Sequence, residues 1–480
     1  MRIILIVVFL AAIVIVSFLV ANSLLPAKPT SSSSPPLYVG IEVGWASNVT
    51  ECKELIDTVR SYTNLLIIAS PLILSDEALL NQVCDYAYKS GMYFMPYFNN
   101  LSNSTLYLGV GGYYLPSTWF TKAKELYGDK LLGVYFYDEA GGFQLDQTNT
   151  TYRSPTPISC PNSYRDNATN FRWLWTHGGG VPAVANFTHS LNSITLTSDY
   201  ALYWFDYQVG WDTVLTQFGW NNSRQLQISL DRGAANAYGK DWGAIITWTY
   251  NNGQMPYLEP APQLYDDMVL AYDSGAKYIA IYDSSHNFTT TTLNKDYFEK
   301  LRDFWNYIHE NPNKQGSLKA DTAVVVPSDY GFGFRSINDS VWQIHEGDPW
   351  TPSLHKDVTN LIGQYNSSIE IVYNDLQFQN TIQSKYHKVL YWPNDFEAMD
   401  NYPVIDLNNG LGYRNIQEAI SSYATYQGDT LIVKPTIYQE TFDATKAITV
   451  SSQNNNTIVI GDSGYRVTLK IMNGQITVSH

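Results

Sequence analysis

The chain has 480 residues, enough for two or three domains with separate cores, and 45% of them are hydrophobic. Only 15% are charged, and 29 Lys+Arg against 44 Asp+Glu leave a formal charge of −15. That balance excludes a basic surface for nucleic acid and suits an exported protein whose surface is rich in hydroxyls and amides.

Export is the first expectation along the chain. Arg2 precedes an apolar run from Ile3 to Val20 that extends to Leu25, with Asn22 and Ser23 as the polar interruptions. Crossing a bilayer takes about 20 residues. Residues 1–25 therefore read as an uncleaved membrane anchor with the remainder outside, a cleaved secretion signal being the alternative. PAKPTSSSSPP, 26–36, reads as a stiff stalk. Eleven Asn-x-Ser/Thr sequons, from Asn48 to Asn455, predict a glycosylated surface protein. The cysteines are Cys52, Cys84 and Cys160. In an oxidising compartment a Cys52–Cys84 disulfide is expected between the first two helices. Their spacing fits no metal site, and no cofactor is expected.

After the stalk the pattern repeats as strand then helix. The expected strands are 37–45, 63–71, 92–100, 131–142, 200–210, 224–235, 242–252 and 276–285. The intervening helices are expected near 49–61, 76–90, 117–127, 166–176 and 261–274, with a closing helix over 294–310. Eight such units predict an α/β fold, a (β/α)8 TIM barrel over 37–310. The fourth strand, LLGVYFYDEAGG, carries two adjacent acids to its C-terminal tip, where such barrels keep their chemistry, and its glycines open a long polar loop.

The fourth-strand Tyr-Asp-Glu, the aromatic tips Trp204, Trp248 and Tyr250, and the eighth-strand YIAIYDSS resemble the catalytic barrels of glycoside hydrolases. The chain departs from the commonest retaining barrels at strand seven, which ends in Trp-Thr-Tyr instead of a nucleophilic Glu. The resemblance implies carbohydrate as substrate and a pair of carboxylates as catalysts.

Alternation of side chains then sorts the acids. Val39, Ile41 and Val43 face helices, leaving Tyr38 and Glu42 inward; Tyr135, Tyr137 and Glu139 point inward in the same way. With 224–235 taken as a strand, Gln227, Ser229 and Asp231 also face in. Glycoside hydrolysis needs one protonated carboxyl and one carboxylate. Glu139, set among aromatics, is the expected acid. Asp206 and Asp231 lead the candidates for its partner, followed by Glu42 and Asp138. Trp45, Tyr97, Tyr137, Trp204, Tyr207, Trp248 and Tyr250 are expected to stack on sugars, with Asp283 beside them. The structural alternatives are that Asp138 and Glu139 cap the following turn and that Glu42 pairs with Arg232. His177 and the glycines after it complete no metal site or phosphate cradle.

Beyond a linker over 311–321, residues 320–396 read as a small β-α-β-α-β domain with a three-stranded parallel sheet. It resembles the amidotransferase-like domain that trails some β-galactosidase barrels, without a matching Cys nucleophile. The loop 331–339 is placed to lean over the barrel mouth, with Arg335 and Trp342 as contributors there. From Asp406 the texture changes. Ile416, Ala419, Ile420, Gly428, Asp429, Thr430, Val433, Tyr438, Glu440 and Ile448 resemble the opening of a pectate-lyase-type right-handed parallel β-helix, making 406–480 a short β-helix-like segment.

Together these features predict an extracellular, membrane-anchored glycoside hydrolase acting on a polysaccharide or surface glycan. The rival expectation is a non-catalytic glycan-binding or envelope structural protein on the same barrel, with cell-envelope partners.

Overall fold

The computed structural model describes residues 37–102, 108–109, 112–146, 164–178, 180–220, 222–250, 257–283, 295–336, 351–392, 402–406, 412–421, 425–452 and 456–479. The apolar run of residues 1–25, the stalk, Cys160 and Trp342 lie outside them. Among the described residues no helix is long and apolar enough to cross a membrane.

Eight parallel strands close into a barrel in sequential order. They are β1 (Tyr38–Val43), β2 (Leu65–Ile68), β3 (Tyr93–Phe98), β4 (Gly133–Phe136), β5 (Ile194–Asp199), β6 (Thr213–Phe218), β7 (Asp241–Thr247) and β8 (Tyr278–Asp283). Each is a short run of β-branched, aliphatic and aromatic residues, buried on both faces as a parallel sheet requires. The crossover helices are α1 (Val49–Val59), α2 (Glu77–Lys89), α3 (Ser117–Tyr127), α4 (Ala140–Asp146), α5 (Tyr164–Trp173), α6 (Val181–Ser190), α7 (Tyr203–Val209), α8 (Arg224–Tyr238), α9 (Ala261–Asp273) and α10 (Lys295–Glu310).

Inward side chains fill the barrel in layers. At the floor Tyr38 stacks on Tyr278 at 4.8 Å and meets Tyr93 edge-on at 5.1 Å. Leu65, Ile67, Met95, Leu196, Leu215 and Ile245 fill the middle. Each such side chain contributes roughly 1.5–3 kcal/mol when fully buried. The top layer turns polar, with Glu42, Ser198, Gln217 and Thr247.

Two expected strands are helices instead. Residues 200–210 hold α7 and 224–235 lie within α8, while the fifth and sixth strands are Ile194–Asp199 and Thr213–Phe218. The alternation of Leu226, Ile228 and Leu230 misleads because α8 is covered on both sides. Its inner face packs on the barrel, and its outer face meets a second sheet made of β9 (Thr322–Val326), β10 (Ile369–Tyr373) and β11 (Lys388–Tyr391). A Cβ on Gly233 would stand 2.3 Å from the Ile371 carbonyl oxygen, so only glycine permits this approach. Arg232 faces Glu370 at 2.8 Å as a buried ion pair and donates to the Ser367 carbonyl at 2.6 Å. Arg232 is therefore not a partner of Glu42. The helix has no solvent face for a polar stripe to mark. Its ends still carry signals: the Ser223 hydroxyl accepts from Leu226 N–H, and Gly239 at φ 63° ends it.

The second sheet is parallel in the order β10-β9-β11, with α11 (Thr351–Tyr365) and α12 (Gln379–Lys385) as its helices. The C-terminal region departs from a parallel solenoid. Thr430–Val433 pairs in parallel with Ile448–Ser452, but every other pairing there among the described residues is antiparallel. Two sheets result, one mixed and one antiparallel. This region docks on α5, where Arg165 meets Asp429 at 3.2 Å and the Tyr426 hydroxyl donates to Asp166 at 2.8 Å.

The expected disulfide is absent. Cys52 on α1 and Cys84 on α2 are buried and carry no disulfide, and burial pushes the Cys84 thiol far above its ordinary value. Among the sequons, Asn48, Asn186 and Asn366 are exposed. Asn167 is fully buried and donates to the Gly331 carbonyl, which leaves it no room for a glycan.

Candidate active site

The end of β4 is bent by backbone that non-glycine residues rarely adopt. Tyr137 stands at φ 63° and Glu139 at φ 56°. Each such residue costs about 1–3 kcal/mol and persists where surrounding contacts hold it. Here the neighbouring strands do so. Tyr137 N–H donates to the Phe98 carbonyl at 2.7 Å, and Glu139 N–H to the Ser198 carbonyl at 2.8 Å. The expected long loop after Glu139 begins as α4 instead, because Asp199 caps it. The Asp199 carboxylate accepts N–H groups from Gly141 (2.5 Å), Gly142 (2.9 Å), Tyr200 (2.7 Å) and Ala201 (3.0 Å).

Three carboxyls meet at the top of the barrel. Asp138 accepts the Tyr135 hydroxyl at 2.6 Å and the Ser198 hydroxyl at 2.5 Å. Gln217 donates its amide to Glu139 at 2.9 Å and to the Ser198 hydroxyl at 3.0 Å. Glu42 comes from β1, three strands away around the ring. Burial, then the Asp138 charge, pushes Glu139 up to about 8, against a weaker pull downward from the Gln217 amide. Glu42 is raised well above its ordinary value by burial and then by Asp138 and Glu139. Asp138 is also raised by burial, but its two hydroxyl donors and a backbone N–H favour its anion. All three are thus raised by burial, and Asp138 is the one whose anion the surrounding donors favour most.

These groups open on a cavity of about 550 Å³ at the C-terminal face of the barrel. Trp45, Tyr135, Tyr200, Trp220, Ile245 and Tyr282 supply its apolar walls, and Asp146, Asn222, Thr247 and Arg335 its other polar ones. The Trp45 indole N–H donates to the Tyr282 hydroxyl at 2.5 Å.

The structure gathers Glu42, Asp138, Glu139 and Trp45 here and places other expected site residues elsewhere. Asp206 lies on α7 and Asp231 on α8, outside the barrel wall and fully buried. Burial and the neighbouring Asp199 push Asp206 well up; Asp231, raised by burial, accepts the Tyr207 hydroxyl at 3.0 Å. Tyr207 is thus a core residue. Trp204 stacks on Tyr373 at 5.0 Å, under the second sheet. Trp248 is buried against Tyr297 at 4.5 Å. Tyr97 packs edge-on against Tyr135 at 5.4 Å below the site, and Tyr137 packs on Trp175 at 4.2 Å. The side chains of Tyr250 and Asp283 lie outside the described residues.

Ser198, Gln217, Tyr200 and Trp220 were hidden by the misplaced fifth and sixth strands. The signal for them was the β-branched alternation in ITLTSD and TVLTQF, each followed by an aromatic within a few residues.

No protein-family model matches the chain, and no curated protein does. Among solved structures, a GH5_18 protein from Streptomyces cattleya in complex with GlcNAc aligns with 75% of this chain and 99% of its own, at 9% identity and TM-score 0.44. A beta-galactosidase from the psychrophilic Marinomonas ef1 aligns over 88% of this chain and 77% of its own, at 8% identity and TM-score 0.45. A GH99 endo-alpha-mannosidase from Bacteriodes thetaiotaomicron aligns over 58% and 99%, at 12% identity and TM-score 0.38. The barrel itself rests on the strand pairing described above.

Proposed function

We propose that the chain is a glycoside hydrolase whose general acid is Glu139. The observation that carries this reading is the meeting of Glu42, Asp138 and Glu139 in one aromatic-walled cavity, with Glu139 held protonated up to about pH 8. In the proposed reaction Glu139 gives its proton to the leaving oxygen as the glycosidic bond lengthens. Asp138, whose anion the Tyr135 and Ser198 hydroxyls favour, faces the positive charge that grows on the sugar and serves as nucleophile or as base for water. Glu42, three strands around the ring, adds a further carboxyl to the same cavity. Gln217 fixes the Glu139 carboxyl.

The proposal extends to location on sequence grounds. The apolar run of residues 3–25 anchors the chain in a membrane, and the exposed sequons fit a glycosylated extracellular body. The substrate is then a polysaccharide or surface glycan.

The test is reducing-sugar release from a panel of polysaccharides by the wild-type chain and by Glu139→Gln. The expected loss is about 10²–10⁴-fold in kcat, the usual worth of a positioned acid, with folding and glycan affinity kept. Release that survives the substitution removes Glu139 from the role. Binding without release across the panel makes the chain a carbohydrate-binding protein instead.

A further inference from the structure

The cavity continues past the three carboxyls to a second wall built by different elements. Asp146 is the last residue of α4, Tyr200 follows β5, Trp220 follows β6, and Arg335 arrives from the segment after β9 of the second sheet. An ion pair joins the Arg335 guanidinium to Asp146, which also accepts the Tyr200 hydroxyl. The guanidinium lies 5.8 Å from the centre of the Tyr200 ring. The two charged side chains keep 19% and 43% of their exposure. The wall is tightly built: a Cβ on Gly142 would stand 2.0 Å from the Tyr200 ring. Trp220 is held at φ 48°, a strained backbone of the kind that marks Glu139.

We propose that this wall is a second sugar subsite, beside the one at the carboxyls, and that it takes an uncharged sugar residue. The subsite rests on the hydrolase reading for its purpose but is tested by binding alone. A partly exposed carboxylate–guanidinium pair presents acceptors and donors at fixed positions, which suits neighbouring hydroxyls on one ring, while an indole offers the apolar surface a sugar face needs. Charge decides the class of sugar. Glu42, Asp138, Glu139 and Asp146 line the cavity, and Arg335, the sole Lys or Arg among the described lining residues, already answers Asp146. A uronate or sulfated residue would have to compete with Asp146 for the guanidinium and would lie beside the carboxyl cluster, which costs binding; hydroxyls face no such competition.

The test is calorimetric titration of the full chain carrying Glu139→Gln, with and without Arg335→Ala. The ligands are mono-, di- and trisaccharides of β-1,4-linked glucose, mannose and N-acetylglucosamine, together with di- and trigalacturonic acid. At least one neutral disaccharide is expected to bind tenfold or more tighter than its monosaccharide. The galacturonic acids are expected not to bind. Arg335→Ala should reduce the disaccharide's gain to threefold or less, and Asp146→Asn, which keeps the side-chain shape, should reduce it too. Melting curves confirm that each variant is folded. A disaccharide gain that survives both substitutions overturns the subsite, as do galacturonic acids that bind like their neutral counterparts or a failure of every series to bind. A gain that depends on Arg335, in a wild-type chain that releases no reducing sugar, supports the subsite and overturns the hydrolase reading.

Discussion

At Glu139 opposing influences compete, and their order sets when the group can act as an acid. Burial and the Asp138 charge raise it, and the Gln217 amide lowers it, for a net value of about 8. Replacing Gln217 with Leu removes a donor that favours the anion, so Glu139 should hold its proton to higher pH. The alkaline limb of the kcat/KM profile is expected to move upward from about pH 8 in Gln217→Leu; a limb that stays or moves down would detach it from Glu139. Part of this site is legible without coordinates. Alternation in the first and fourth strands points Glu42 and Tyr135 inward, and both line the cavity; past Phe136 the positive φ of Tyr137 and Glu139 breaks it, so Tyr137 packs on Trp175 while Asp138 and Glu139 both reach the cavity. The donor Gln217 is not legible in the same way, because it sits on a strand whose neighbouring helices, α7 and α8, carry stronger strand-like patterns. Asp199 escapes for a similar reason, since a cap that reaches α4 from another strand leaves no mark near the helix it holds.

For α8 the misreading comes from its burial on both faces. Its outer contacts include Arg232–Glu370 and the Asn236 amide, which donates to Glu370 at 2.9 Å. Both members of the ion pair are nearly inaccessible, at 5% and 3% side-chain exposure. Removing one partner strands the other's charge, typically at 3–5 kcal/mol. Glu370→Ala is therefore expected to lose about 3 kcal/mol in chemical denaturation, while Glu370→Gln, which keeps an acceptor, loses less. Equal losses would show that packing and not charge governs the contact. The helices α1, α2 and α10 were legible because each keeps a solvent side. The C-terminal sheets mislead differently: one parallel pair carries the β-helix pattern, and antiparallel turns end it.

Across the molecule the buried acids set the pH dependence of stability. Glu139 is raised from 4.5 to about 8 and Asp199 from 3.8 to about 6, each with burial as the largest cause. Glu42, Asp206 and Asp231 move the same way. In each case the folded state keeps protons that the unfolded chain has released, so stability falls as pH rises from the unfolded values through the folded ones. The melting temperature is expected to be higher at pH 5 than at pH 8, with most of the decline between about 5 and 8. A flat profile would mean that these carboxyls are solvated or paired.

The sheet over α8 has a consequence for how this protein can be divided. The barrel looks like a unit that ends with α10, yet the surface behind α8 and the arginine at the cavity both belong to chain that comes later. A fragment stopping at residue 310 would expose Arg232, Gly233 and Trp204 to water and lack Arg335. Exchanging the barrel between proteins should therefore fail unless the β9–β11 sheet travels with it, so a workable excision takes barrel and sheet as one piece.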